Sequence, residues 1–224
     1  GCFVYSGQVC ESGTRAIVPR KIHDEFVERL IRRAKTIQVG ATHDWDTDMG
    51  PVIDGTQQAR ILDFIRGAEA EGATVVLGGR ALDGPGFWIE PTIVTGVTND
   101  MRIAREEVFG PVLVVIPYDG DDHEAGQAIT IANDSDYGLA ASVWTTDNAR
   151  GLAVAERIRC GSVWINDAHQ INCQVPFGGY KQSGVGRELG PDALDAYTEA
   201  KVVHLDLAGG RDAKPYDILL SHAD

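Results

Sequence analysis

Hydrophobic residues follow two alternating spacings along this chain. Short runs of adjacent apolar residues, many of them β-branched, are typical of buried strands, and they occur at residues 16–18, 74–77, 93–94, 112–116, 141–145, 162–165 and 201–207. Between these runs, apolar residues recur every three or four positions, which predicts helices at residues 22–31, 61–72, 124–132, 148–158 and 191–197. This alternation predicts an α/β fold with a mostly parallel, twisted sheet and helices on both faces.

Composition narrows the kinds of partner that the chain can have. The 224 residues carry 33 acidic and 20 basic side chains, a formal net charge of −13, which disfavours nucleic acid and anionic membrane surfaces. No apolar run approaches the roughly 20 residues needed to cross a bilayer, and the first residues lack a secretion-signal pattern. We therefore expect a cytoplasmic protein. The four cysteines have no Cys-x-x-Cys spacing, so neither a metal site nor a disulfide framework is predicted.

Cys10 is the residue whose sequence context most favours chemistry. It ends the segment FVYSGQVC at residues 3–10, in which Gly7 gives the backbone freedom to present a thiol at a turn. The attacking form of cysteine is the thiolate, so its surroundings must lower the thiol pKa or supply a base. Glu11 would oppose ionisation if it pointed toward the sulfur. The alternative interpretation of Cys10 is a buried structural thiol.

Two further motifs follow in the chain, EEVFGP at residues 106–111 and PFGGYKQSG at residues 176–184. Together with the segment around Cys10, they resemble the NAD(P)-dependent aldehyde dehydrogenase superfamily, and the resemblance extends from about residue 3 to residue 205. In that family the cysteine lies past the middle of a chain roughly twice as long. The resemblance therefore implies a catalytic domain at residues 1–198 without its N-terminal part, an oligomerisation strand at 199–208 and a tail at 209–224.

The resemblance implies a reaction for Cys10. Its sulfur would add to the carbon of a small-molecule aldehyde to form a thiohemiacetal, a hydride would pass to NAD or NADP, and water would hydrolyse the remaining thioester. The backbone N–H of Cys10 would help to stabilise the oxyanion. In the family, a second oxyanion donor, the general-base glutamate and the dinucleotide-binding domain come from the first half. Glu11 departs from the small uncharged residue that usually follows the cysteine.

The same resemblance implies roles for four residues at the cofactor. Glu107 would hold the nicotinamide ribose, and Phe109 would pack beside the nicotinamide ring. Gln57 and Arg60 would lie near the same ribose. The competing interpretations are a loop carboxylate, a core phenylalanine and two ordinary exposed residues on a helix.

The loop at residues 166–174 borders the substrate tunnel in the family, which makes His169 and Cys173 candidates for lining that tunnel. The glycines of the loop that follows are explained by a tight turn packed against neighbouring structure. Its GVGRELG segment is one residue too long for the dinucleotide-binding fingerprint, and no strand leads directly into it.

Three functions remain open at this point. The chain could be the catalytic part of an aldehyde dehydrogenase that needs a separate N-terminal half, or a catalytically inactive relative that serves as an assembly module. A weak esterase or thioesterase based on Cys10 is the third. A family strand that precedes residue 3 is also missing, so we expect an apolar groove beside strands 16–18 and 162–165, or another chain that fills it. The oligomerisation strand predicts a homo-oligomer.

Overall fold

The computed structural model describes residues 1–120 and 125–207. Its strands are β1 (Arg15–Pro19), β2 (Thr74–Leu77), β3 (Thr92–Thr95), β4 (Val112–Tyr118), β5 (Tyr137–Gly138), β6 (Ala140–Val143), β7 (Ser162–Ile165) and β8 (Tyr180–Lys181). Its α-helices are α1 (Arg20–Ala34), α2 (Gly55–Ala70), α3 (Arg102–Arg105), α4 (Gly126–Asn133) and α5 (Asn148–Ala155), and 3-10 helices cover Val4–Gly7 and Pro191–Tyr197.

The main sheet has four strands in the order β1-β4-β3-β2. The pairs β1–β4 and β3–β4 are parallel, whereas β2 runs antiparallel to β3. A parallel pair needs a crossover connection; α1, α2 and α3 lie between β1 and β4, whereas α3 alone is the helix between β3 and β4. The predicted α/β fold with a mainly parallel sheet is confirmed.

Successive side chains of β4 enter two separate hydrophobic clusters, because a strand presents alternate residues to opposite faces. On one face, α2 and α3 pack against Val112, Val114 and Ile116. On the other face, α1 packs against Val115 together with Val18 of β1. Helices therefore cover both faces of the sheet, as predicted. The clusters anchor β1 and β4 in the core. The segment with Cys10 leads into β1, and the EEVFGP motif leads into β4.

The Gly-rich loop forms a packed turn rather than a phosphate-binding loop. Strand β8 within it pairs antiparallel with β5, and Phe177 bridges to Glu188. A Cβ atom on Gly161, at the start of β7, would lie only 1.6 Å from the carbonyl oxygen of Gly178. The loop backbone therefore rests directly on the chain that leads into β7. This close approach explains glycine at position 161, and a Cβ atom on Gly178 would lie 2.6 Å from the carbonyl oxygen of Gly186.

A large groove separates the main sheet from the β6–β7 pair. Its volume is about 1690 Å³, and its walls include β1 and β6. Within the described residues, β1 pairs only with β4 and β6 only with β7, so each strand turns an unpaired edge outward. The expected groove beside β1 is present. The expectation that residues 162–165 of β7 would form its far wall is wrong, because β6 pairs with β7 and takes that position.

The C-terminal part of the chain differs from the sequence-based expectation. Residues 201–207 form no strand within this chain and are exposed throughout. Their four large apolar side chains are Val202, Val203, Leu205 and Leu207, each at least 76% exposed. A strand gains its backbone hydrogen bonds from a neighbour, so the pairing of this segment with another chain stays a prediction. The proposed tail at 209–224 lies outside the described residues.

We expect Gly161→Ala to lower the free energy of unfolding by about 1–3 kcal/mol, because the added methyl group displaces the Gly-rich loop. Gly67→Ala is the matched control, since a Cβ at this position inside α2 meets nothing within 4 Å. This variant should gain about 0.5–1 kcal/mol from reduced chain entropy in the unfolded state. Denaturant titration measures both values. Equal effects of the two substitutions would contradict the close packing at Gly161.

Candidate active site

The segment that carries Cys10 begins as a tight, left-handed turn. Tyr5 and Ser6 have φ angles of 51° and 59°, and Gly7 follows with a φ of 69°. The left-handed region is costly for residues with a Cβ atom, by on the order of 1–3 kcal/mol each, so the surrounding contacts must hold this turn. The buried Ser6 hydroxyl donates to the carbonyl of Gly50 at 2.7 Å. The Gln8 side chain accepts from the Ile53 N–H at 2.9 Å.

Backbone contact joins the cysteine segment to the EEVFGP motif. A Cβ atom on Gly7 would lie 1.9 Å from the carbonyl oxygen of Gly110 and 2.8 Å from the nitrogen of Pro111. Only glycine allows this approach at that φ angle. Two motifs that are about 100 residues apart in the sequence therefore lie directly against each other. Cys2 also connects the two segments, because its thiol donates to the Val112 carbonyl at 3.3 Å.

Gln57 and Arg60 hold the loop that contains Glu107 and Phe109. The Asp54 side chain caps α2 by accepting from the Gln57 N–H, which fixes the first turn of the helix beside the loop. The Gln57 amide donates to the carbonyl of Phe109 at 2.7 Å and to that of Val108 at 3.1 Å.

The Arg60 guanidinium donates to the carbonyls of Val108 and Glu107, both at 2.7 Å. It also lies 4.7 Å from the centre of the Phe64 ring. The four residues that the resemblance assigned to the cofactor are therefore brought together. Gln57 and Arg60 direct their donors to the backbone of the loop, and the carboxylate of Glu107 is exposed.

Cys10 is exposed, and it borders the groove together with Glu107. This position excludes the alternative of a buried structural thiol. The thiol donates to Glu11 Oε2 at 3.3 Å. Partial burial of the sulfur raises the pKa of Cys10, and the hydrogen bond and negative charge of Glu11 raise it further. The backbone N–H groups of Cys10 and Glu11 act in the opposite direction. Taken together, these effects oppose formation of the Cys10 thiolate.

The two tunnel candidates lie in different places. His169 Nδ1 is 3.2 Å from Glu11 Oε1, so the structure brings this histidine next to the cysteine segment. Cys173 is exposed, and its backbone carbonyl accepts from the Gly190 N–H at 3.0 Å. No sequence pattern predicts the contact between His169 and Glu11, because the partners are 158 residues apart.

The remaining chemistry of the described residues is limited. Residues 1–120 and 125–207 contain no cluster of three or more His, Cys, Asp or Glu side chains that could hold a metal ion. No helix in the same ranges is long and apolar enough to cross a membrane. All four cysteines are free.

Comparison with known proteins agrees with this arrangement. The model of the aldehyde dehydrogenase family matches residues 1–203. The chain belongs to the aldehyde dehydrogenase family. Betaine aldehyde dehydrogenase of Brucella anthropi is 45% identical over 220 residues, which make up 96% of this chain and 44% of the relative. The protein of the same name from Brucella melitensis is 44% identical over the same shares. This family member thus spans less than half the length of the curated relatives it matches.

Solved structures give the same picture for this aldehyde dehydrogenase chain. An NAD⁺ complex of aldehyde dehydrogenase from Bacillus cereus superposes with a TM-score of 0.88 at 45% identity, over 92% of this chain and 41% of the other. Betaine aldehyde dehydrogenase from Staphylococcus aureus, also in complex with NAD⁺, gives a TM-score of 0.82 at 44% identity over 86% and 38%.

We expect Gln57→Leu to loosen the 106–110 loop, because two loop carbonyls lose their donor. The cost should be about 1–3 kcal/mol of local stability. Amide hydrogen exchange of the loop measures it. Gln58→Leu is the matched control, since the Gln58 amide donates instead to the Trp88 carbonyl at 2.9 Å. If both variants loosen the loop equally, Gln57 does not have the holding role described above.

We also expect alkylation at about pH 8.5 to label Cys10 and Cys173 while sparing Cys2. Burial raises the pKa of Cys2 to about 12, so its thiolate is absent at that pH, and its sulfur is bonded to a backbone carbonyl. In denaturant all cysteines should react alike. Peptide mass spectrometry after labelling makes the comparison, and rapid labelling of Cys2 in the folded chain would show that the packing around it is wrong.

Proposed function

We propose that this chain carries the nucleophile and part of the cofactor site of an NAD(P)-dependent enzyme that oxidises an aldehyde to a carboxylic acid. The observation that carries the proposal is the contact of Gly7 with Gly110 and Pro111, which fixes the exposed Cys10 segment against the loop of Glu107 and Phe109. A nucleophile beside a held binding loop is the arrangement that covalent redox catalysis requires.

The first covalent step would take place on Cys10. Its thiolate adds to the aldehyde carbon, a C–S bond forms, and the carbonyl electron pair becomes an oxyanion. The N–H groups of Cys10 and Glu11, which favour negative charge on the sulfur, would support that oxyanion. After the hydride has left the same carbon, a thioester remains. Water then adds to that carbon, the C–S bond breaks, and the acid and the free thiol are released.

The loop residues fit a nicotinamide cofactor, whose chemistry is the acceptance of the hydride. Glu107 would accept hydrogen bonds from the ribose hydroxyls, since its carboxylate is exposed and has no partner among the described residues. Phe109, whose backbone has a φ of 55°, would pack beside the flat nicotinamide ring. Gln57 and Arg60 would act on the cofactor indirectly, by holding the loop carbonyls. Either NAD or NADP would suit these contacts.

The reaction needs parts that we propose come from a second polypeptide segment, namely a general base, another oxyanion donor and a dinucleotide-binding domain. The groove between β1 and β6 is the proposed place of contact. Its volume of about 1690 Å³ exceeds the roughly 300–1,000 Å³ of sites for small molecules. Two unpaired strand edges border it, and a strand placed there would join both sheets through backbone hydrogen bonds.

A second candidate function is assembly without catalysis. The observation in its favour is the exposed apolar segment at residues 201–207, which has the strand-forming composition of a pairing edge. Under this proposal the segment adds to the sheet of another copy and produces a homo-oligomer. Sedimentation of the chain with and without residues 201–224 distinguishes it, because only the longer form should associate.

Complementation tests the catalytic proposal. The chain is co-expressed with the part of Brucella anthropi betaine aldehyde dehydrogenase that precedes the matching region, and reduced cofactor is measured with betaine aldehyde and a panel of other aldehydes. We expect turnover with either NAD or NADP. Cys10→Ala should remove it by at least about 10³-fold, because no covalent intermediate can form.

Cys160→Ala is the matched control and should retain activity, since the Cys160 thiol donates to the Ser162 carbonyl at 3.0 Å. Turnover that survives Cys10→Ala would contradict the assignment of the nucleophile. Stable pairing without turnover for any aldehyde would favour the assembly function. Burst release from an activated ester by the unpaired chain, lost in Cys10→Ala, would instead support the esterase hypothesis.

A further inference from the structure

A chain of contacts extends from the candidate nucleophile to a loop more than 150 residues away. Glu11 Oε2 accepts from the Cys10 thiol at 3.3 Å, while Glu11 Oε1 lies 3.2 Å from His169 Nδ1. His169 Nε2 is 2.9 Å from the carbonyl oxygen of Gly1. The Glu11 side chain is only 8% exposed, and that of His169 is 22% exposed. Both oxygens of one shielded carboxylate are thus engaged, one by the thiol and the other by the imidazole.

Both ring nitrogens of His169 face hydrogen-bond acceptors. A neutral imidazole has one N–H, so it can donate to either the carboxylate or the carbonyl, whereas the doubly protonated ring donates to both. In either form that carries a proton on Nδ1, the ring donates a hydrogen bond to Glu11. The backbone of His169 has a φ of 58°, a conformation in which histidine is enriched among residues other than glycine. The loop is thus shaped to direct this side chain to Glu11.

The hydrogen bond and the charge of Glu11 both act on the Cys10 sulfur. A carboxylate that accepts from a thiol stabilises its protonated form, and its negative charge opposes the thiolate. A donor on the far oxygen withdraws negative charge from the carboxylate. A hydrogen bond from His169 Nδ1 would therefore weaken the effect of Glu11 on Cys10.

We propose that His169 is a positioning residue which, through Glu11, sets how readily Cys10 forms its reactive thiolate. The inference rests on the proposed function, because it concerns the same nucleophile. Three other titratable groups on the adjoining segments act elsewhere. The Cys2 thiol bonds to Val112, Asp167 accepts from the Ala168 N–H, and the Gly1 amino group acts on Cys2.

The test is the pH dependence of Cys10 alkylation by iodoacetamide in the 224-residue chain, with each cysteine followed separately by mass spectrometry. Alkylation needs neither aldehyde nor cofactor, so its outcome is independent of whether turnover is found. Glu11→Gln should move the midpoint to lower pH by about one unit, because the charge beside the thiol is gone. His169→Asn should move it to higher pH by up to about one unit, because asparagine tolerates the left-handed backbone but is too short to reach Glu11.

The double variant distinguishes an effect of His169 that acts through Glu11 from two independent effects on Cys10. In the Glu11→Gln background, His169→Asn should leave the midpoint unchanged, because no carboxylate remains for the imidazole to offset. The labelling of Cys2 reports unfolding in every sample, and a variant counts only while Cys2 stays unreactive. If His169→Ala has to replace a misfolded His169→Asn, the same upward shift is expected. An unchanged midpoint in the single histidine variant, or an equal shift in both backgrounds, would overturn the proposal.

Discussion

The contact between the backbone of Gly7 and that of Gly110 is the constraint on which the candidate site depends. It leaves no room for a side chain, so the cysteine segment and the Glu107 loop share one rigid boundary. Each segment is also attached to the core, since the first leads into β1 and the second into β4, which pair with each other. The sheet therefore sets the position of Cys10 relative to the loop of Glu107. A site built in this way needs no movement of either loop to bring its groups together.

The electrostatics around Cys10 oppose formation of its thiolate. Burial and Glu11 raise the pKa of Cys10, and the neighbouring N–H groups only partly oppose this. Such a thiol is protected from adventitious oxidation, because oxidation proceeds through the thiolate. Activation then has to come from groups that remove charge from Glu11 or accept the proton.

Sequence reasoning predicted the parts of this structure that are encoded locally. Strands β2 and β7 were predicted with their observed bounds, because β-branched runs flanked by turn residues have few alternative conformations. The convergence of Gln57 with the Glu107 loop followed from family resemblance, but the donation to loop carbonyls did not. The His169–Glu11 contact depends on the left-handed backbone of a long loop, which no spacing rule encodes. Residues 201–207 form no strand within this chain, and the predicted strand stays a prediction because its pairing needs a neighbour from another chain.

The unpaired edges of β1 and β6 leave this chain open to pairing with a segment of another polypeptide. Parallel strands gain stability only after distant segments have met, so two unpaired edges stay open until a segment pairs with them. An extended segment of another polypeptide could pair there through backbone hydrogen bonds, whatever its side chains.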